Sequence, residues 1–299
     1  MKKKITSVGL SFILLAVFSV TVVLAQKHGN GKASPQKEAI LLVAFGTTVP
    51  EAKKAFDQIE TQVKKEFPNS EVRWAFTSSK VRSKLAAMGV KLDSPGVAIA
   101  KLVDDGYNRI VVASFHTLFG EEFHDLVKDV NACAQLSGSS DRKILIARPL
   151  LSSRENIESC IKSLISQAPE TRMPGDAIVL MGHGSGHHPT DTVYAATNFY
   201  AQKADPNVFV ATVDGQPTLD DFIPILKKNG AKKVFLMPFM AVAGDHARND
   251  MCGEEKDSWK SILKQNGFQV ECILKGAAEN PAIVNLWIGN IRAAQTRLR

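Results

Sequence analysis

Short apolar runs alternate with amphipathic stretches along most of the chain. Eight runs rich in Val, Ile, Leu and Phe predict β-strands at 39–45, 72–76, 110–115, 143–147, 177–181, 208–213, 233–238 and 269–274. The stretches between them have helical spacing, which predicts helices at 51–67, 95–105, 121–136, 153–166, 190–203, 219–228 and 246–265. Strands that are apolar throughout and alternate with helices are typical of parallel sheets covered on both faces. The pattern therefore predicts an α/β protein.

Two segments of the chain occur twice, in the same order. The sequence of 38–48 is echoed by 176–186, and that of 106–122 by 230–246. Matching apolar runs and glycines in two places indicate an internal duplication. Each copy has four predicted strands, so we expect two similar α/β lobes. A Pro- and Gly-containing boundary near residue 170 gives an N-terminal lobe at 38–170 and a C-terminal lobe at 171–299.

The N-terminus predicts export. Three lysines at positions 2–4 precede an uncharged, mostly apolar run at 5–24, and Ala25 follows a small-residue pattern. This is typical of a signal peptide at 1–25, which implies a periplasmic or otherwise exported protein with no membrane association after cleavage. An uncleaved membrane anchor is the alternative. The polar stretch 26–37 is interpreted as a linker.

Charge and cysteine content narrow the function classes. Cleavage after Ala25 removes three lysines and lowers the net charge from +7 to +4. A mildly basic chain without clustered basic residues argues against a nucleic-acid binder and suits a small polyanionic ligand. The four cysteines form no CxxC pair and fit no metal motif, so buried thiols are favoured over disulfides.

Metal-competent residues follow three strands of the C-terminal lobe. His183 follows its first strand, Asp214 its second, and His246 lies in the loop after its third. Because ligands of open parallel sheets bind beyond the carboxyl ends of the strands, we expect these side chains on one rim. Two imidazoles and a carboxylate suit Co²⁺, Fe²⁺, Ni²⁺ or Zn²⁺. Taken singly, each residue also fits a turn or capping role.

The corresponding positions of the N-terminal lobe carry no metal-site histidines. They offer an aromatic residue, hydroxyls, carboxylates, cations and one histidine: Phe45, Ser78, Ser79, Lys80, Arg82, Lys84, His116, Glu121 and Glu122. Hydroxyls and cations facing a metal rim predict a surface that holds an anionic ligand. The alternative is that Lys80, Arg82 and Lys84 form a solvated helix face. His124, one helical turn further on, is either a surface histidine or an axial haem ligand.

Six short motifs of the chain resemble those of the class II tetrapyrrole chelatases, in particular the anaerobic-type sirohydrochlorin cobaltochelatases of the cobalamin pathway. They are Ala-Phe-Gly-Thr-Thr (44–48), Ala-Phe-Thr-Ser-Ser (75–79), Gly-Glu-Glu-Phe (120–123), Met-Gly-His-Gly (181–184), Thr-Val-Asp-Gly (212–215) and Ala-Gly-Asp-His (243–246). The resemblance implies two Rossmann-like lobes with an active-site cleft between them. It also implies ATP-independent insertion of Co²⁺ into sirohydrochlorin.

The resemblance further implies residue roles. His183 and His246 would bind the metal with a third, acidic residue; the family usually has Glu where this chain has the shorter Asp214. From the chemistry of metal insertion we further expect His183 to accept a pyrrole proton, assisted by Glu121 or Glu122 on the opposite wall. Fe²⁺ is an alternative metal, because ligand type separates Co²⁺ and Fe²⁺ poorly. The sequence leaves a homo-oligomer open.

Two other function classes share this architecture. One is an exported tetrapyrrole, haem or metal carrier on the chelatase scaffold, with His124 as the haem ligand. The other is a two-lobed periplasmic sugar- or amino-acid-binding protein. The second does not explain why histidines gather at the strand ends of one lobe.

Overall fold

A computed structural model describes residues 36–135 and 141–298 of the chain. It contains two four-stranded parallel sheets, with strand orders β2-β1-β3-β4 and β6-β5-β7-β8. The strands are β1 (Glu38–Ala44), β2 (Glu71–Phe76), β3 (Arg109–Ser114), β4 (Lys143–Ala147), β5 (Ala177–Gly182), β6 (Val208–Thr212), β7 (Lys233–Pro238) and β8 (Gln269–Cys272). The two sheets have the same order and direction. The predicted α/β class and duplication are therefore confirmed, whereas the predicted signal peptide lies outside the described residues.

Helices cover both faces of the sheets, and most strand residues are therefore buried on both sides. They are α1 (Pro50–Glu66), α2 (Ser79–Ala87), α3 (Pro95–Asp104), α4 (Glu121–Ala134), α5 (Arg154–Ile165), α6 (Thr192–Ala204), α7 (Leu219–Lys228), α8 (Trp259–Gln265) and α9 (Pro281–Leu298). Short 3₁₀ turns lie at Pro189–Asp191 and Ala277–Glu279, and a π-helical turn at Ala247–Met251. Among the residues described, no helix is both apolar enough and long enough to cross a membrane.

Three helical features differ from the sequence prediction. Helix α9 was not predicted, α2 was predicted only in the alternative that Lys80, Arg82 and Lys84 form a helix face, and the helix predicted at 246–265 is divided. Its first part is the π turn and its second part is α8, whose N-terminus is capped by the Ser258 hydroxyl. The division falls at Gly253, where a β-carbon would collide with the backbone of Asn249. Only glycine therefore fits at this point of the chain.

The last helix joins the two lobes. Although α9 follows β8 in sequence, it packs on β3 and β4 of the first sheet. The buried Trp287 ring lies 5.2 Å from that of Phe115, and the Asn290 amide donates to the carbonyl oxygens of Arg148 and Pro149. One hydrophobic cluster runs through both lobes. The predicted boundary at residue 170 thus divides the sequence, but α9 belongs to the first lobe by its packing.

Two of the four cysteines form a disulfide. Cys252, directly after the π turn, is bonded to Cys272 in β8, and their Cα atoms are 6.2 Å apart. Cys133 and Cys160 are free and buried. The expectation of buried thiols is therefore right for these two and wrong for the Cys252–Cys272 pair. The fold brings together residues whose spacing along the chain gave no sign of pairing.

Candidate metal centre and facing cavity

Three side chains of the second lobe converge at the carboxyl end of its sheet. His183 follows β5, Asp214 follows β6, and His246 lies after β7, just before the π turn. One ligand atom from each lies within 4.8 Å of the others, and all three side chains are partly or fully exposed. Because β6, β5 and β7 are neighbours in the sheet, residues distant in sequence meet at one edge.

Hydrogen bonds determine which imidazole nitrogen faces the centre. His183 Nδ1 lies 2.7 Å from the Gly184 carbonyl oxygen, and His246 Nδ1 lies 2.7 Å from Asp250 Oδ2. Both acceptors require a proton on Nδ1, which leaves a lone pair on each Nε2. The two rings are nearly perpendicular with centroids 4.7 Å apart, and His183 Nε2 is 3.9 Å from Asp214 Oδ2. Two imidazole lone pairs and a carboxylate thus point at one volume.

Glycines let the turns bearing His183 and Asp214 pack against each other. Gly184 has φ +76°, and a β-carbon there would lie 2.7 Å from the Gly215 nitrogen. Gly184 is therefore needed for backbone contact between the two turns.

Two further side chains support the His183 turn. The buried Tyr194 ring lies against Gly182, where a β-carbon would collide with it. Burial raises the pKa of the Tyr194 phenol to about 12, although its backbone hydrogen bonds with Gly184 and His183 act to lower the pKa. Asp191 Oδ2 accepts hydrogen bonds from the backbone amides of Ser185 and Gly186, at 3.0 and 2.9 Å. The loop after His183 is thus internally braced.

A cavity of about 800 Å³ lies between the carboxyl ends of the two sheets. This is within the usual range for small-molecule sites. The second lobe contributes His183, Asp214 and His246 to its lining. The first lobe contributes an aromatic residue, a hydroxyl, two lysines, a histidine and two carboxylates: Phe45, Ser78, Lys80, Lys84, His116, Glu121 and Glu122. Most residues predicted at the two rims therefore share one cavity.

The side chains of the predicted anionic surface differ in what they can offer a ligand. Phe45 is 49% exposed and forms an open apolar wall. Ser78 caps α2, and its Oγ accepts from the Val81 amide at 3.3 Å. Ser79 instead lines a neighbouring cavity of about 400 Å³.

Arg82 does not take part in the surface that the sequence predicted for an anionic ligand. Its guanidinium donates to the carbonyl oxygens of Phe76 and Thr77, at 2.5 and 2.7 Å, and it lines neither cavity. The side chain turns back to satisfy carbonyl groups beyond β2. We therefore assign Arg82 to support of that segment and correct the predicted contact with a ligand.

His116 lies at the cavity wall in an unusual state. Its Nδ1 is 2.9 Å from the Ser114 hydroxyl, while its buried Nε2 has no hydrogen-bond partner among the described residues. Burial lowers the pKa of the imidazole to about 4, so the ring is neutral near pH 7. It therefore cannot hold an anion as a cation, and its buried Nε2 is not open to the cavity.

Three further histidines of the described residues lie near the contact between the lobes, and of these only His187 lines the cavity. His187 Nε2 is 3.4 Å from Glu121 Oε2, across the lobes. The rings of His124 and His188 have centroids 5.1 Å apart. His124 thus contacts the loop that follows His183 rather than the metal-competent cluster, whereas Glu122 faces the cavity.

Sequence reasoning missed three supporting residues. Asp250 stands four positions after His246, a spacing that places both on one side of a helical turn and could have been noticed. Asp191 and Tyr194 act on the His183 turn from the start of α6. No local pattern distinguishes them from ordinary helix residues.

Comparison with known proteins gives consistent results. The model of the family described as cobalt chelatase (CbiK) matches residues 38–296. Sirohydrochlorin cobaltochelatase CbiKC of Nitratidesulfovibrio vulgaris is 36% identical over 262 residues, which cover 88% of this chain and 92% of that protein. The sirohydrochlorin cobaltochelatase of Salmonella typhimurium is 32% identical over 260 residues, 86% of this chain and 96% of that protein.

Solved structures show the same fold. SirB from Bacillus subtilis with Fe³⁺ has a TM-score of 0.60 at 15% identity and covers 88% of this chain and 97% of its own. CbiX, the terminal enzyme of siroheme biosynthesis in denitrifying bacteria, has a TM-score of 0.55 at 18% identity, with 86% and 99% covered. At these identities the likeness concerns the fold.

Proposed function

The chain belongs to the cobalt chelatase (CbiK) family, and from this premise we propose that it is a sirohydrochlorin cobaltochelatase. It inserts Co²⁺ into sirohydrochlorin without ATP and releases two protons. The observation that carries the proposal is the cluster of His183, Asp214 and His246, whose ligand atoms lie within 4.8 Å of one another at the wall of the cavity.

The donor set suits an ion that must be bound and then released. Two imidazole nitrogens and one carboxylate oxygen are good ligands for Co²⁺. Three protein ligands leave further coordination positions open towards the cavity, as in metal sites that exchange ligands. A macrocycle in the cavity can therefore approach the ion from the side that the protein leaves free.

The same two imidazoles account for the protons. Insertion exchanges two N–H protons of the macrocycle for one dication. As Co²⁺ passes to the nitrogens of the macrocycle, the Nε2 lone pairs of His183 and His246 become free again. A neutral imidazole with a free lone pair is a base, so both side chains can accept a proton from the macrocycle. Glu122, which lines the same cavity from the first lobe, offers a further acceptor.

The first lobe provides the surface for the macrocycle. The exposed ring of Phe45 offers an apolar face, and Lys80 and Lys84 lie in the same cavity wall. Lysine side chains suit the carboxylates of sirohydrochlorin.

The test is a metal-dependent assay on the protein without residues 1–25. Addition of Co²⁺ and sirohydrochlorin should change the macrocycle absorption faster than the uncatalysed control. His183→Ala and His246→Ala should each reduce the rate towards that control. His188→Ala is the matched variant, since His188 lies on the same loop but outside the cavity, and it should retain the rate. Unchanged rates in both ligand variants would refute the proposal.

The physiological metal is proposed as Co²⁺, with Fe²⁺ as the alternative. Both ions accept this donor set. Initial rates with each ion, measured anaerobically at equal free concentration, decide between them. A higher rate with Fe²⁺ would replace cobalt in the proposal.

Export and haem binding are proposed on the sequence alone. Export predicts that the protein in a periplasmic fraction begins near Gln26, which intact-mass measurement checks. Haem ligation by His124 predicts a Soret band in the purified protein that His124→Ala removes. The absence of that band in the wild-type protein would exclude the haem role.

A further inference from the structure

The disulfide lies immediately beside the candidate metal centre in sequence. His246 precedes the π turn Ala247–Met251, and Cys252 follows that turn directly. The same turn carries Asp250, whose carboxylate accepts the hydrogen bond from His246 Nδ1. One short segment thus holds both a candidate ligand and the group that orients it, and its far end is covalently bonded to Cys272.

The segment is attached to the second sheet at both ends. It leaves β7 after Pro238, and β7 pairs with β8 in a register that puts Leu236 beside Cys272. The disulfide therefore returns the end of the π turn to the strand pair from which the segment started. Chain connectivity through β7 fixes one end, and the Cys252–Cys272 bond fixes the other.

Non-covalent contacts at the far end are local hydrogen bonds and one exposed ion pair. The Gly253 amide donates to the Asn249 carbonyl at 2.9 Å, and the Ser258 hydroxyl donates to the Gly253 carbonyl at 2.8 Å. The exposed Glu254 carboxylate pairs with Lys260 of α8. Between Gly253 and Ser258 the chain is irregular, and residues 254–257 are exposed. A π-helical turn is a rare conformation that depends on its surroundings. Buried Ala247 and Met251 keep the turn packed, whereas the partly exposed side chains of His246 and Asp250 depend on its exact path.

We propose that the Cys252–Cys272 disulfide is a positioning element of the metal centre. It fixes the π turn so that Asp250 holds His246 with Nε2 directed at the ion, and reduction of the bond lowers the affinity for divalent metal. In the reduction, a dithiol supplies two electrons and two protons. The products are the Cys252 and Cys272 thiols and the oxidised dithiol. This inference rests on the proposed metal-binding function.

Direct titration with Co²⁺, followed by its d–d absorption, tests the proposal without a chelatase assay. Three samples are compared: oxidised protein, protein reduced by a dithiol that is then removed anaerobically, and the Cys252→Ser/Cys272→Ser variant. Loss of a group that orients a metal-binding histidine typically costs 10- to 100-fold in affinity. We expect a loss of about this size in the second and third samples. Cys133→Ser, which removes a free thiol, should bind as the wild type does.

A coupling experiment separates positioning from general loosening of the fold. In His246→Ala, the remaining Co²⁺ binding by His183 and Asp214 should not respond to reduction, because the turn no longer supplies a ligand. A general destabilisation would weaken binding in that background too. Circular dichroism of the reduced samples at the titration temperature verifies that they are folded.

The outcomes distinguish the two proposals. If oxidised protein binds Co²⁺ no better than the His183→Ala/His246→Ala variant, the proposed function fails. If oxidised, reduced and serine-substituted proteins bind with the same affinity, the disulfide has no positioning role and the proposed function stands. An equal effect of reduction in wild type and His246→Ala also overturns the positioning role.

Discussion

The two histidines of the metal centre are held by acceptors of different strength. His183 Nδ1 donates to a peptide carbonyl, whereas His246 Nδ1 donates to the Asp250 carboxylate. A carboxylate partner increases the basicity of the opposite ring nitrogen more than a neutral carbonyl does. We therefore expect His246 to bind the ion more firmly and His183 to release it first during transfer.

Asp250→Asn tests this asymmetry. The amide keeps the size of the side chain but removes the charge that favours Nδ1–H on His246. We expect Co²⁺ affinity to fall about 10- to 100-fold, measured by titration. Asp245→Asn is the control. It removes the same charge from the residue before His246, whose side chain lines the cavity. Equal losses in both variants would mean that Asp250 acts through its charge alone.

His116 predicts a pH dependence of stability. Its folded-state pKa is lowered to about 4, whereas an exposed histidine titrates near 6.5. As the pH falls from about 6.5 to about 4, the unfolded chain takes up a proton that the folded protein does not, so stability is lost over that window. Above it, both states are neutral at this position and the residue contributes no pH dependence.

The comparison uses His116→Gln, which does not titrate. Denaturant unfolding at pH 7.5 and 4.5 should show a larger loss of stability in the wild type than in the variant. Equal losses would mean that the imidazole is not held neutral by burial.

At this scale, the sequence predicted the gathering of His183, Asp214 and His246, since strand ends of a parallel sheet meet at one edge. It could not predict the direction of Arg82. Its position on a helix near the cavity was compatible with ligand contact, and only the backbone beyond β2 shows which acceptors it reaches.

At the scale of elements, the turn after β5 determines where His183 stands. Gly184→Ala would place a methyl group against Gly215 and force alanine to φ +76°. We expect a loss of about 1–3 kcal/mol in unfolding free energy, from strain of that size at a left-handed backbone position. We also expect weaker Co²⁺ binding, because the turns of His183 and Asp214 must separate.

Gly230→Ala is the matched variant. Gly230 has a similar φ of +72°, but no atom lies within 4 Å of the added carbon. It should lose stability through backbone strain and leave Co²⁺ affinity unchanged. A similar loss of affinity in both variants would contradict the role given to the contact between Gly184 and Gly215.

The strands were predicted more accurately than the helices, for a physical reason. In β7, residues 234–238 are buried on both faces and form an uninterrupted apolar run. By contrast, α2 buries little beyond Leu85, so its sequence carries a weak helical pattern. The division between the π turn and α8 falls beside Gly253 and Cys252, and the pattern of apolar positions gives no sign of it.

At the scale of the whole molecule, α9 makes the lobes mutually dependent. Trp287 is 1% exposed and packs on Phe115 of the first lobe although it belongs to the C-terminal part of the chain. Trp287→Ala should lower the unfolding free energy by about 3–5 kcal/mol, through lost burial and the cavity left behind.

Denaturant unfolding of the wild type should give a single transition, because one hydrophobic cluster spans both lobes.

Phe199→Ala provides the comparison. Phe199 is 63% exposed, and its removal should change stability by about 0.5 kcal/mol or less. If Trp287→Ala cost no more than this, α9 would not be the connection between the lobes that its packing indicates.

The two lobes share one strand order, yet within the described parts of the chain only the second carries a metal-competent cluster. Two identical chains facing each other across such a cleft would have identical walls, and each substitution would appear on both sides. Fusion of the two copies into one gene removes that constraint. One wall can then gain or lose a metal ligand while the other changes its fit to the macrocycle, so metal preference and macrocycle preference can evolve independently.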